Sequence, residues 1–166
     1  MGSDNLSHAY KEDDLNIPFD YLNSFPPGYR FRPTDEELIV HYLRPKILGG
    51  DLCVNKIHSV DVYDYSPIEL TDMYREEGEE KCYFFSSRKL VKYGARERVK
   101  RVAGNGRWKP LPKDKPIHMG DCQIGWKRTL AFLIRGLTKN IKTDWRMTEY
   151  KEDLVSVHQW PSSFIS

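Results

Sequence analysis

Between Lys89 and Lys115 the chain carries Lys89, Lys92, Arg96, Arg98, Lys100, Arg101, Arg107, Lys109, Lys113 and Lys115, interleaved with Tyr93, Trp108, three glycines and two prolines. Guanidinium forks and ammonium groups match phosphate oxygens, and glycine lets a backbone approach a ligand closely. The chemistry implied is recognition of a polyanion, because a basic ribbon of this kind can follow the groove of a duplex. Bond-making chemistry finds no comparable support. The histidines, His8, His41, His58, His118 and His158, fall in no metal-ligand spacing. Glu37 and His41 stand four apart on one helix face, but two groups do not complete a metal site. Gly104-Asn105-Gly106 lacks the third glycine and the helix of a phosphate loop, and no serine or cysteine sits in a nucleophile signature. No enzyme activity, metal or cofactor is expected.

Charge is divided along the chain. Residues 1–80 hold 7 Lys and Arg against 17 Asp and Glu, whereas residues 81–115 hold 12 against only Glu97 and Asp114. The net charge of +2 therefore conceals a strongly dipolar molecule whose basic side attracts a polyanion. At 166 residues and 39% hydrophobic composition the chain can build one ordinary core. No apolar run reaches the roughly 18 residues that span a bilayer, and the first 20 residues lack a secretory h-region, so a soluble intracellular protein is expected. Cys53, Cys82 and Cys122 form no CxxC pair, which argues against a disulfide framework and a zinc finger.

The elements that must position the basic ribbon are legible in part. Residues 1–24 read as a flexible arm and 153–166 as a C-terminal extension, flanking one domain over 25–152. Phe25 to Pro33 alternates aromatic and basic residues among prolines, which suits an extended segment offering unpaired backbone groups. Thr34-Asp35-Glu36-Glu37 spells a capping box, followed by an apolar stripe of Leu38, Ile39, Tyr42 and Leu43; Pro45 is expected to end or kink that helix. Ser66-Pro67-Ile68-Glu69 repeats the box with proline at the first helical position, predicting a short helix to about Tyr74. Beyond Gly78 the period turns extended, at Cys82 to Phe85, Val99 to Val102, Ile124 to Ile134 and Trp145 to Tyr150, with Gly104-Asn105-Gly106 as a turn. Helices first and strands later predict an α+β fold with an antiparallel sheet. The aromatics in these runs are expected to pack the sheet. Trp108, between Arg107 and Lys109, is the exception, a wedge or anchor setting the depth of the basic strand.

The stretch from Phe25 to Leu38 followed by Val40 to Leu43 resembles the opening of the NAC domain of plant transcription factors. Further blocks follow in the expected order: Ile57 to Val62 with Pro67, Tyr83 to Ser86, Arg101 to Gly106 with Trp108-Lys109, Lys113 to Ile117, Gly125 to Leu130, and Lys142 to Trp145 with Glu149-Tyr150. The resemblance covers about residues 25–152. It implies a twisted antiparallel sheet packed between a few helices, a nuclear location, and a homodimer or a heterodimer with related NAC proteins. It also implies sequence-selective binding of double-stranded DNA by a basic strand edge in the major groove. Carried over residue by residue, the DNA contacts fall on Lys89, Lys92, Arg98, Arg101, Lys109 and Lys139, to which the basic strand adds Arg107. The dimer contacts fall on Phe25, Arg30 and Glu37. One departure stands out: the family's groove-entering strand usually reads Trp-Lys-Ala-Thr-Gly, whereas this chain has Trp108-Lys109-Pro110-Leu111-Pro112. The alternative is therefore a NAC-like dimerisation or protein-interaction module with weak or altered DNA selectivity.

Overall fold

The computed structural model describes residues 28, 30–50, 56–87, 89–153 and 162–165. The first helix, 35–47, starts at the expected box: the Thr34 hydroxyl accepts from the Glu37 amide, and the Glu37 carboxylate accepts from the Thr34 amide at 2.7 Å. Its middle, Leu38–Leu43, is wound as a π-helix, and a last α-turn spans Arg44–Ile47. Pro45 does not end the helix. Its missing amide falls where the ladder changes from the wide turn, in which the Arg44 amide reaches Ile39, to the tighter turn in which Leu48 reaches Arg44. A wide turn of that kind accommodates a residue that cannot donate. The second helix, Pro67–Tyr74, has its capping box at Ser66 and Glu69 as the spacing predicts.

The strands are β1 (Ile57–Ser59), β2 (Tyr83–Ser87), β3 (Leu90–Tyr93), β4 (Arg96–Val99), β5 (Val102–Ala103), β6 (Gly106–Pro110), β7 (Lys115–Met119), β8 (Cys122–Ile134), β9 (Ile141–Glu152) and β10 (Ser162–Ile165). The main sheet runs β1-β2-β10-β9-β8-β6-β5, with β7 also on β8, while β3 and β4 form a separate hairpin. Pairing is antiparallel except between β1 and β2. That parallel pair differs from the expected pattern because the connection from Ser59 to Tyr83 carries the second helix across the sheet, and a crossover of this length returns the chain in the same direction. Ser162–Ile165, in the expected C-terminal extension, lies inside the sheet between β2 and β9.

Strand alternation divides the core into two layers. Tyr83 and Phe85 join Leu38, Ile39, Leu43, Ile117, Ile124 and Tyr150 on the face covered by the first helix. Phe84, between them, points the other way and joins Leu70 of the second helix, Trp108, Leu130, Phe132 and Met147. The twisted sheet thus sits between two helices. The first helix is pinned at both ends: Asp35 meets Lys127 and accepts the Tyr150 hydroxyl at 2.7 Å, and Arg44 meets Glu152. Among the described residues no helix is long and apolar enough to cross a membrane.

Trp108 and Phe132 are cross-strand partners with ring centroids 5.0 Å apart, and both are nearly solvent-free. Gly106 permits this contact: a Cβ there would come within 2.4 Å of the Leu133 carbonyl oxygen and 2.6 Å of the Phe132 ring. Deleting the Phe132 ring removes the partner of Trp108 and leaves a cavity in the second layer. Phe132→Ala is expected to lower stability by about 3–5 kcal/mol in chemical denaturation.

Candidate nucleic-acid interface

β6 and β7 lie end to end along the same edge of β8, opposite Leu130–Ile134 and Cys122–Lys127 respectively. They are therefore one long line of strand along that side of β8, interrupted by the four residues 111–114 and covered by β5 only at Gly106 and Arg107. Lys113 adopts a left-handed φ of 71° in that interruption, the one non-glycine residue to do so among the described residues. Pro110 is opposite Leu130 and Lys115 opposite Lys127, so these four residues face only two of β8 and bulge out as a protrusion, whose base is fixed by Asp114 through a two-pronged contact with the Arg128 guanidinium, Nε at 2.6 Å. That pairing holds the Asp114 carboxyl below its ordinary range.

Within β6 the ladder uses odd-numbered residues. The Leu111 amide donates to the Thr129 carbonyl at one end, and the Arg135 amide to the Asn105 carbonyl at the other. Even-numbered amides point away from β8, towards β5, where that of Trp108 is taken by the Arg101 carbonyl at 2.8 Å. Pro110 occupies the next outward position, so its missing N–H costs no ladder bond. It instead strips a donor from the exposed edge.

Side chains alternate the other way, across the sheet. Trp108, 3% exposed, is an inward anchor against Phe132, so the wedge expected from sequence does not face outward. Burying it turns Arg107 and Lys109 to the opposite, exposed face. Register extends this face across the sheet: Arg107 is aligned with Leu133 and then Lys142, and Lys109 with Ala131 and then Arg146. All four cations are exposed and none meets a carboxylate among the described residues. Arg146 donates hydrogen bonds to the Thr143 and Trp145 carbonyls, each at 2.9 Å, which fixes its direction. Sequence alone does not single out Lys142 and Arg146. The basic run ends at Lys115, and only strand register brings these two beside it.

The β3–β4 hairpin forms the second basic element. Its register sets Lys92 opposite Glu97 and Arg98 opposite Val91, so Lys92 and Arg98 stand on opposite faces. Arg96 and Arg98 are exposed on the same face and lack acidic partners among the described residues. Lys89 and Lys100 close the base. Lys89 meets Asp61 at 2.9 Å and Asp64 at 2.8 Å, and Lys100 meets Asp64 at 2.7 Å, which ties the hairpin to the turn Val62–Asp64. Arg101 turns inward: its guanidinium, 16% exposed, lies 3.5 Å from the almost fully buried Glu149 carboxylate and donates to the Tyr63 hydroxyl at 3.3 Å. Lys139 is exposed on the connection between β8 and β9.

The family model described as No apical meristem (NAM) protein matches residues 26–152, ending where β9 ends. The chain belongs to the NAM, or NAC, family. It is 44% identical over 129 residues to NAC transcription factor 29 of Arabidopsis thaliana, covering 78% of this chain and 47% of that protein. It is 42% identical over 139 residues to NAC domain-containing protein 100 of the same plant, covering 83% and 41%. NAC domain-containing protein 2 of Solanum lycopersicum is 43% identical over 129 residues, covering 78% and 46%. The chain thus spans less than half the length of these curated relatives.

In this NAC-family chain the positions carried over for dimerisation have visible local roles. Arg30 is exposed and its guanidinium lies against Gly78, where an added Cβ would approach it to 2.9 Å. Glu37 is exposed and serves the capping box through one carboxylate oxygen. Phe25 lies outside the described residues. Among the described residues no group of three His, Cys, Asp or Glu side chains could hold a metal ion.

The clamp on the hairpin is sensitive to acid. The Ser87 hydroxyl and then Lys89 hold the Asp61 carboxyl below its ordinary 3.8, and Lys100 and then Lys89 do so for Asp64. Lowered carboxyl pKa values mean that the stabilisation is fully present above the ordinary value and is lost as pH falls through the lowered ones. Cross-strand NMR contacts between Leu90 and Val99 should therefore persist unchanged from about pH 7 to about pH 5 and weaken only as pH falls below the ordinary carboxyl value of 3.8. Loosening at near-neutral pH would show that the carboxylates do not hold the hairpin.

Proposed function

We propose that this NAC-family chain is the DNA-binding and dimerising part of a plant transcription regulator acting in the nucleus. It grips double-stranded DNA with the β6 edge and the flanking cations, and the duplex lies along the exposed face of Arg107 and Lys109. The observation that carries this reading is a set of four cations on one sheet face, with no acidic partner among the described residues, beside a protruding edge. Arg96 and Arg98 on the hairpin add phosphate contacts, as does Lys139, while Lys92 contributes from the other hairpin face. Phosphate contacts position a protein on a duplex; base edges give selectivity. Lys109 and the 110–113 protrusion are the parts placed to reach base edges.

Lys89 and Arg101 enter this proposal differently. Lys89 serves two carboxylates in the free protein and must exchange them for phosphate on binding. Arg101 supports the site from within, where it faces the buried Glu149 carboxylate together with Arg128, the cross-strand neighbour of Glu149. Arg101→Ala is expected to cost about 1–3 kcal/mol of fold stability, because Glu149 loses one charged partner but keeps Arg128 beside it. Arg98→Ala should leave stability within about 0.5 kcal/mol and weaken binding to specific and scrambled duplexes alike. Denaturation and binding curves on the two variants separate the roles.

Dimerisation would use the extended segment, with Arg30 of one copy facing Glu37 of another and Phe25 in the apolar contact. An exposed ion pair contributes about 0.2–1 kcal/mol, so backbone pairing and apolar burial must supply most of the affinity. A second reading, a protein-interaction module with weak or altered DNA selectivity, is favoured by one feature. Pro110 and Pro112 bracket Leu111, leaving the protruding edge poor in donors. Selection of binding sites from random duplexes decides between them: an enriched common motif supports the first and a flat outcome the second. In the same assay log affinity should fall with log salt, and Arg107→Ala with Lys109→Ala should flatten the slope by about 0.9 for each phosphate no longer neutralised.

A further inference from the structure

Past the end of β6 the ladder to β8 holds for one more residue, through the Leu111 amide and the Thr129 carbonyl at 2.9 Å. Leu111 lies between two prolines. Pro112 confines the residue before it to extended backbone, and Pro110, itself the last residue of β6, does the same for Lys109. Strand alternation therefore runs on through 109–111, and Leu111 takes the same face as Arg107 and Lys109.

The rows of that face change character at this point. Arg107 is in line with Lys142 and Lys109 with Arg146, whereas Leu111 is in line with Thr129 and then Thr148. A row without charge thus borders two rows of cations. Leu111 is half-buried, and neither layer of the core includes it. Core packing accordingly does not account for a leucine at this place.

The chemistry of the tip restricts what it can recognise. Pro110 and Pro112 have no amide hydrogen and that of Leu111 is spent on Thr129, so residues 110–112 give a base edge no backbone donor. Their three side chains are apolar, and the apolar group that a base pair presents in the major groove is the 5-methyl of thymine. A 5-methylated cytosine carries the same group at the same ring position. The two prolines also fix the backbone before contact, which spares the ordering cost that a freer loop would meet on binding.

We propose that Leu111 is a specificity residue that packs on the 5-methyl group of a pyrimidine in the major groove, while the neighbouring cations hold the duplex. This rests on the DNA-binding reading above and adds to it the chemical group that is read.

The test starts from binding sites that the full chain selects out of random duplexes. Uracil is then substituted for each thymine in turn, which removes the methyl group and leaves the hydrogen-bonding edge intact. At one position uracil should weaken binding about fourfold, the effect of leaving one methyl group unburied. At that position 5-methylcytosine is compared with cytosine, each paired with guanine. A gain there as well shows that the methyl is read on either base; a gain with thymine alone names thymine as the target. In Leu111→Ala thymine and uracil should bind alike, with affinity for scrambled duplexes and the salt slope unchanged, since phosphate contacts set both. Leu111→Met, which keeps an apolar side chain, should retain the methyl effect. Failure to bind any duplex would overturn the DNA-binding reading and this inference with it. A flat selection, salt-dependent binding that ignores the methyl at every position, or a methyl effect of the same size in Leu111→Ala would overturn this inference alone.

Discussion

The side-chain period of two along β6 is the constraint on which the basic surface depends. Trp108 has to enter the core to meet Phe132, and because neighbouring strand residues alternate in direction, Arg107 and Lys109 are thereby committed to solvent. A tryptophan buries on the order of 200 Å² of side chain, which outweighs any local preference of two exposed cations for other rotamers. The same alternation, carried through the register of β8, places Lys142 and Arg146 beside them. The positions of four charges thus follow from one buried ring and the pairing that holds it.

Cations elsewhere in the chain are divided by what surrounds them rather than by type. Arg101 and Arg128 are drawn towards Glu149 and Asp114, and Lys89 and Lys100 towards Asp61 and Asp64, so these four stiffen the frame. Apart from the buried Arg101–Glu149 pair, exposed pairs of this kind contribute little each, but together they join the hairpin and the interrupted β6–β7 line to the body of the sheet. A charge that already has a close partner adds little to the long-range field felt by an approaching polyanion, since the pair appears at a distance as a weak dipole. Among the described residues the field is set chiefly by cations that meet no carboxylate, of which Arg96, Arg98, Arg107, Lys109, Lys142 and Arg146 are six.

Local chemistry made much of this architecture readable. Both capping boxes are short-range signals and formed where Thr34 and Ser66 placed them; the second helix ended at Tyr74. The apolar run ending at Ile134 and the Gly104-Asn105 turn were legible for the same reason, as period and turn chemistry are carried by adjacent residues. What sequence did not disclose depends on pairing between distant segments. The parallel β1–β2 contact, the π-helical turns before Pro45 and the place of Ser162–Ile165 between β2 and β9 have no local signature. Nor does the inward turn of Arg101, whose partner lies 48 residues away. In the basic run, residue type identified the segment; only register could sort which members share a face.

Pro110 has one more consequence. A flat sheet edge with regularly spaced donors and acceptors is a template on which a second molecule can zip up, and such edges lead to aggregation. Here the proline withholds the donor that such pairing would need, and the Lys113 kink bends the path three residues further on. One pairing donor is thereby withheld from this rim while its charged side chains stay accessible, which disfavours edge-to-edge pairing at this point.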